Sequence, residues 1–264
     1  MQLNYNQSFQ PAVAGGLIYP FEENTILTYS NSTEQIQWGR GVVLHTFGGG
    51  GGGVPPSGLC RLPAAVGDAG NFLGVALRDT SSMNNYHEQY SAVAVLRRGQ
   101  VAVQVEQNVT DLSTVFVRYA ARSQVQTLTF SGATVTGNII SVNVDGFVVS
   151  VTFTIDNATT LAALATAIQA RPRVLTALSD GASVITVTTQ LNQQPISINS
   201  ATVTGGASQP TITRAITSAG AMDDDRGNFR ADADNSTAFA VTTAKYLTAA
   251  NAGQIAIVDL NIPS

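Results

Sequence analysis

The sequence predicts a mainly β protein, with a β-barrel or sandwich-like body that carries a small inserted α+β domain. Short apolar stretches with strand-like alternation recur along the chain, only one segment has clear helical spacing, and β-branched residues dominate the middle third. The 264 residues are enough to bury a core without disulfide bonds. The single cysteine, Cys60, excludes a disulfide scaffold.

The first part of the predicted body covers residues 1–124. Strands are predicted at residues 72–77, 92–96, 100–105 and 115–119, and Arg97-Arg98-Gly99-Gln100 is interpreted as a hairpin turn between the second and third of them. The six glycines Gly48 to Gly53 cannot hold one backbone conformation by themselves, so we expect a flexible surface loop there.

Residues 125–207 are predicted to form an inserted, outward-facing β-β-α-β-β domain. Asp145-Gly146 between residues 138–144 and 147–155 is typical of a type I′ hairpin, and Asp180-Gly181 repeats the pattern. Between these hairpins a helix is predicted, with Asn157 as its cap and Pro172 as its stop. Its apolar face has helical spacing and consists of Leu161, Leu164, Ala165 and Ile168.

Residues 208–264 resemble the first part of the chain in their sequence pattern and are predicted to complete the body, with strands at 238–242 and 254–260. An insertion of this kind needs its two ends close together. The acidic residues Asp223-Asp224-Asp225, Asp232 and Asp234 are interpreted as a solvated loop, with a structural cation as the alternative, because hard cations prefer clustered carboxylates.

Composition excludes several functions. The net charge is −4 and Lys245 is the only lysine, which argues against direct binding of nucleic acid. No apolar run is long enough to span a membrane and no signal peptide is evident, so we expect synthesis in the cytoplasm. Two histidines, one cysteine and no phosphate-binding or nucleophile motif predict neither enzymatic activity nor a cofactor or metal.

Arginine outnumbers lysine twelve to one, which indicates either contacts at interfaces or the codon usage of a GC-rich genome. Aromatic residues concentrate in the first forty positions without regular spacing, which indicates either a local core or an arm that packs on a partner, and the second interpretation is favoured. The residues expected at a partner interface are Tyr5, Phe9, Leu17, Tyr19, Phe21, Arg97 and Arg98.

The order of several segments resembles the structural cement (head decoration) proteins of tailed bacteriophages. These segments are residues 11–18, 72–79, 94–101, 115–120, 227–234 and 256–261. The middle domain resembles β-β-α-β-β insertions of phage virion proteins, tail sheaths included. The resemblance implies a β-rich protein without catalytic residues, often a homotrimer, bound to the major capsid protein on the outer surface of an expanded icosahedral head.

From this resemblance we expect a capsid cement protein that stabilises the mature head against the pressure of its DNA. Binding at several shell subunits at once would gain from avidity, and closed symmetry suits a junction of subunits. Two alternatives remain at this stage: another virion component, in the tail or baseplate, and a glycan-binding β protein.

Overall fold

The structure is a computed structural model that describes residues 13–18, 24–32, 34–45, 58–81 and 84–263. The chain forms two compact units. Ala121–Asp223 is the inner unit, and the described residues up to Ala120 together with those from Asp224 onward form the body. In chain order the elements are β1 (Thr25–Asn31), β2 (Ile36–Gln37), β3 (Gly41–Leu44), β4 (Leu59–Arg61), β5 (Phe72–Ala76), β6 (Tyr86–His87), β7 (Ala92–Gln104), β8 (Thr114–Arg118), β9 (Arg122–Phe130), β10 (Ile139–Val144), β11 (Phe147–Thr152), α1 (Asn157–Gln169), β12 (Val174–Ser179), β13 (Val184–Thr189), β14 (Ile198–Thr204), β15 (Ile212–Ala221), β16 (Phe229–Arg230), β17 (Ala238–Tyr246) and β18 (Ile255–Asn261).

Nine described strands of the body form one sheet in the order β1-β4-β3-β5-β7-β18-β17-β8-β16. Because β1 also pairs with β7, the strands β1, β4, β3, β5 and β7 close into a five-stranded barrel. Buried side chains such as Val42 and Val95 form the core of the barrel. A second core, with Val103 and Phe229, lies against the rest of the sheet. Barrel closure protects the edges that an open sheet would expose.

Strand β7 corrects the hairpin predicted at residues 97–100. Its first half pairs with β1 and its second half with β18, and Arg98 lies opposite both Thr25 and Asn261. The chain bends at Gly99, whose φ is +120°, instead of turning back. A hairpin turn was predicted at this position because a hairpin turn and this bend both favour glycine. The two flanking runs belong to one strand because each half has its own non-local partner.

The inner unit contains a three-stranded sheet, β11-β10-β14, and a four-stranded sheet, β12-β13-β9-β15. One core contains side chains from both sheets and from α1, including Leu128, Ile140 and Leu164. Helix α1 follows β11 and precedes β12, and it packs against both of these edge strands. The predicted hairpins are present, but they belong to different sheets, and β9, β14 and β15 complete the unit.

The local predictions in this unit have mixed outcomes. Asp145 and Gly146 both have positive φ, as the type I′ turn requires. The second connection is a four-residue loop in which the Asp180 carboxylate accepts hydrogen bonds from the backbone N–H groups of residues 182, 183 and 184. The predicted face of α1 is buried, but its cap is Asp156, which accepts from the Thr159 N–H, instead of Asn157.

The inner unit is longer than the predicted insertion of residues 125–207. It begins at Ala121 because β9 starts at Arg122, and it ends at Asp223 because β15, expected in the body, pairs with β9. Arg122 lies opposite Ala221 in this pairing, so the two ends of the unit are adjacent. The mainly β fold class, with a barrel-containing body and one small helix, is confirmed.

Candidate interaction surface and a buried ion cluster

Three of the seven residues predicted at a partner interface lie within the described structure. They are Leu17, Arg97 and Arg98, and all three lie in the body beside the bend of β7. The other four fall outside the described residues: Tyr5, Phe9, Tyr19 and Phe21. The Gly48 to Gly53 run also falls outside them.

Residues 13–18 run along the edge of β7. The N–H of Gly15 donates to the Ala102 carbonyl at 2.8 Å, and the Ala102 N–H donates to the Gly16 carbonyl at 3.0 Å. Gly15 has a φ of +77°, and a Cβ there would lie 2.8 Å from the Arg78 nitrogen. Leu17 forms a bridge with Val101 and packs against the body core. Residues 13–18 therefore pack on their own body, whereas Tyr5, Phe9, Tyr19 and Phe21, which are part of the expected arm, lie outside the described residues.

The backbone fixes the surroundings of Arg97 and Arg98. The Arg97 carbonyl accepts from the Ile262 N–H at 3.1 Å, and its guanidinium donates to the Pro263 carbonyl. Arg98 is exposed. The N–H of Ile18 donates to the Gln100 carbonyl, and the Asn24 side chain lies against Gly99. Ile18 and Asn24 are therefore both held beside Gly99 and Gln100.

Two apolar side chains that sequence reasoning missed lie on the neighbouring strand. Ile26 and Leu27 of β1 are 42% and 41% exposed, and they pair with β7 at Leu96 and Val95. The sequence signal for these two residues was a short run of strand-forming residues, Thr25-Ile26-Leu27-Thr28-Tyr29, with polar residues on both sides. We define the bend surface by five residues: Leu17, Ile26, Leu27, Arg97 and Arg98.

The body also buries an ion cluster that the sequence did not predict. Arg118 is 2% exposed, and its guanidinium contacts Glu106 at 2.7 Å and Asp234 at 2.5 Å. Arg230 contacts the same two carboxylates at 2.9 and 2.8 Å, and Asp232 at 2.8 Å. Two buried arginines thus share two carboxylates. Their short, charge-assisted hydrogen bonds compensate the cost of removing these charges from water.

The ion cluster holds an unusual turn. Asp234, Asn235 and Ser236 all have positive φ, a region that costs non-glycine residues energy. Thr237 closes the turn by donating its N–H to the Ala233 carbonyl at 3.0 Å. Because Arg118 and Arg230 both bind Asp234, the cluster fixes the first residue of this left-handed run.

Burial is the main cause of the shifted pKa values of two groups near the ion cluster. Burial, followed by the charge of Glu106, raises the pKa of Tyr246, whose hydroxyl donates to the Arg230 carbonyl at 3.0 Å. Burial likewise lowers the pKa of Arg40, although Asp225 and Glu106 counteract this effect. The cluster therefore lies in a part of the body where burial is the largest cause of the shifts at both neighbouring groups.

The alternative of a cation at the acidic segment is not supported by the positions of these carboxylates. Asp234 is bound by two arginines and Asp232 by Arg230, while Asp223–Asp225 forms a short 3-10 turn. Within the described ranges, no group of three or more His, Cys, Asp or Glu side chains is arranged to hold a metal ion.

Cys60, the candidate nucleophile, and the two histidines, the candidate bases, each contact the surrounding protein. Cys60 is buried in the barrel core, and burial raises the pKa of its thiol to about 12, which leaves it a poor nucleophile at neutral pH. Buried His87 hydrogen-bonds the Leu77 carbonyl at 2.8 Å. His45 lies against the Ser32 hydroxyl. In the part of the chain that the structure describes, no helix has the length and apolar character needed to cross a bilayer.

A family model described as structural cement protein (E217 gp24/Pam3 gp6) matches residues 1–170. The chain belongs to this family of structural cement proteins. The match runs through β1 to β8 of the body and β9 to α1 of the inner unit. This membership makes the chain a bacteriophage structural protein of the capsid and confirms the resemblance seen in the sequence.

Among solved structures, the chain is similar to one from Mycobacterium phage Patience. The two are 16% identical, the alignment covers 92% of this chain and 94% of the other, and the TM-score is 0.31. No curated protein matches the sequence.

Proposed function

We propose that this cement protein binds the outside of the mature phage head and stabilises it against the outward pressure of packaged DNA, without catalysing a reaction. Its partners are the major capsid protein and two further copies of itself in a homotrimer. Membership of the cement family is the observation that carries this proposal. The protein would be made in the host cytoplasm and would act on the virion surface.

We assign the shell contact to the bend surface of the body. Ile26 and Leu27 are both exposed but point to opposite faces of β1, so each face of this strand carries one apolar side chain near the exposed Arg98. Arginine is enriched at interfaces because its charge is weakly hydrated and its planar group forms paired hydrogen bonds. The surface rests on a closed barrel, which limits the entropy lost on binding. Tyr5, Phe9, Tyr19 and Phe21 stay predicted members of this interface.

Cementing needs no chemistry. A ligand that binds only the assembled shell stabilises it by about 4 kcal/mol per site at a thousandfold excess over its dissociation constant. A trimer that touches several subunits adds avidity, because the second and third contacts form at high effective concentration. The buried thiol of Cys60 and the arginine-bound carboxylates of the ion cluster agree with a binding role.

Heads assembled without the protein provide the test. Purified protein is added to them, bound protein is measured after sedimentation through sucrose, and DNA release is followed with a dye during heating. We expect saturable binding and a higher temperature of DNA release. Equal release temperatures for bare and decorated heads would refute the cementing role, and binding to isolated tails alone would favour a tail or baseplate component.

Matched variants test the assigned surface. The double variant Ile26→Asp, Arg98→Glu should lose most of its binding to heads, whereas Leu178→Asp, at a more exposed apolar residue of the inner unit, should bind like the wild type. The opposite ranking would move the shell contact to the inner unit. A native mass of about three times 27.5 kDa supports the trimer, and a monomer both in solution and on heads would overturn it.

A further inference from the structure

The inner unit is closed on one side and open on the other. Helix α1 packs against β11 and β12, the edge strands on one side of the two sheets. On the opposite side, the edge strands β14 and β15 border a groove of about 520 Å³, a volume within the range of ligand-binding sites. The groove is lined by Gln126, Ile196, Ser197 and Ile198 and by residues 212–216. All of these lining residues except Gln126 lie beyond the residues that match the cement family.

One wall of the groove is an exposed strand edge. Among the described strands, β15 pairs with β9 alone. The Ser131 N–H donates to the Thr211 carbonyl, so in an antiparallel ladder residues 211, 213 and 215 point their backbone groups at β9. The backbone groups of Ile212, Arg214 and Ile216 therefore point toward the free edge.

These same three residues are among those that line the groove, and as alternate residues of one strand they share a face, so the edge offers hydrogen bonds and side-chain contacts together. Residues 213–217 are exposed, and Ile216 is 61% exposed. A ten-residue edge strand of this kind is a template for pairing, and soluble proteins usually protect such edges. An extended peptide that pairs with an edge strand gains backbone hydrogen bonds, and alternate side chains give it specificity.

The charge of the groove restricts what pairs there. Arg214 is the only charged residue among those that line it. Its guanidinium donates to the Ile198 carbonyl on the opposite edge, and the described structure pairs it with no carboxylate. Because the arginine fork holds its remaining donors ready for a carboxylate, the groove is complementary to an acidic side chain between apolar ones.

We propose that the β14–β15 groove binds an extended segment of another protein, which adds to β15 as a further strand and places a carboxylate on Arg214. Ile212 and Ile216 contact the apolar residues of this segment on either side of its acidic residue. The site is separate from the bend surface of the body and does not depend on the cementing function.

The test uses the full chain and a blocked heptapeptide of alternating threonine and valine with a central glutamate. Amide signals in a nitrogen-15 NMR spectrum are followed during titration. We expect saturable shifts at Ile212, Arg214 and Ile216, and before titration faster amide exchange at these residues than at Thr213 and Ala215. The same peptide with a central lysine should bind at least tenfold more weakly.

A charge reversal provides the decisive control. In Arg214→Glu the preference should invert, so that the lysine peptide binds better than the glutamate peptide; a variant that merely misfolds would bind neither and would lose its dispersed spectrum. A glutamate peptide methylated at alternate backbone nitrogens should fail to bind. Equal binding of both peptides, shifts elsewhere, no saturable shifts, or concentration-dependent protection of this edge by a second copy would each overturn the proposal.

Discussion

The body and the inner unit bury polar side chains of different kinds. Buried polar residues of the body include the charged Arg40, Asp68, Arg118 and Arg230. Those described in the inner unit are all neutral: Gln124, Gln126, Thr134, Asn138, Thr160, Thr189 and Ser218. Burying charge costs several kcal/mol per ion unless partners compensate, whereas amides and hydroxyls are satisfied by backbone groups. The difference indicates that buried charge contributes to the stability of the body, whereas the buried polar side chains described in the inner unit are uncharged.

The largest expected effect is the removal of Arg118. Arg118→Met should lower the free energy of unfolding of the body by about 3–5 kcal/mol, because Glu106 and Asp234 stay buried with less compensation. Urea unfolding followed by the fluorescence of Trp38, the single tryptophan and a residue of the body, measures it.

Two further variants sharpen this result. Arg118→Lys keeps the charge but loses the paired hydrogen bonds to Glu106. Its free energy of unfolding should therefore lie between those of Arg118→Met and the wild type. Arg98→Met, at an exposed arginine of the same unit, should change stability by no more than about 0.5 kcal/mol. Equal losses for Arg118→Met and Arg98→Met would break the contrast between buried and exposed charge.

In the inner unit the corresponding change is Asn138→Ala. The Asn138 side chain accepts from the Val135 N–H and donates to the carbonyls of Gly205 and Ser208. Its loss leaves buried backbone groups without partners and should cost about 1–3 kcal/mol. Amide exchange of the inner unit measures the loss, with the exposed Asn199→Ala as control. The loss should be the same at pH 7 and pH 4.5, and a strong pH dependence would contradict a neutral network.

The smallest expected effect concerns Asp68 and is visible mainly in its pH dependence. Burial alone would raise the pKa of Asp68, but hydrogen bonds from Arg61 and from the N–H groups of Ala64 and Ala65 outweigh burial and hold this pKa below its usual value. A lowered folded-state pKa stabilises the protein above the unfolded-state value of about 3.9, and this stabilisation disappears as the pH falls through the folded-state pKa.

Asp68→Asn should therefore be less stable than the wild type at pH 7, with the difference shrinking as the pH falls below about 4. Urea unfolding at pH 7 and pH 3 with Trp38 fluorescence checks this. Asp111→Asn, at an exposed aspartate, should stay close to the wild type at both pH values. A constant difference between wild type and Asp68→Asn would show that the Arg61–Asp68 pair does not couple stability to pH.

Local features of the fold were predictable from the sequence. The Asp145-Gly146 turn and the buried face of α1 each depend on a few neighbouring residues, and both are confirmed. Strand β7 was misread because its two halves pair with β1 and β18, which are far apart in sequence. The boundary at residue 207 was wrong for the same reason, since β15 belongs with β9.

The residues of the bend surface were predictable only where they are neighbours in the sequence. Arg97 and Arg98 were singled out as a basic pair, but Ile26 and Leu27 required knowledge that β1 closes the barrel. The preference for arginine has an intramolecular explanation that was not foreseen: Arg118 and Arg230 hold carboxylates within the body. No spacing in the sequence connects Glu106 with Asp234, because their common partners come from β8 and β16.

The pairing of Arg122 with Ala221 has a practical consequence. The chain enters and leaves the inner unit at one point, and β8 and β16, the body strands on either side of it, pair with each other through Val117 and Phe229. A short linker can therefore replace the whole unit without stretching the backbone of the body. The same junction is a suitable place to insert a foreign domain into the body.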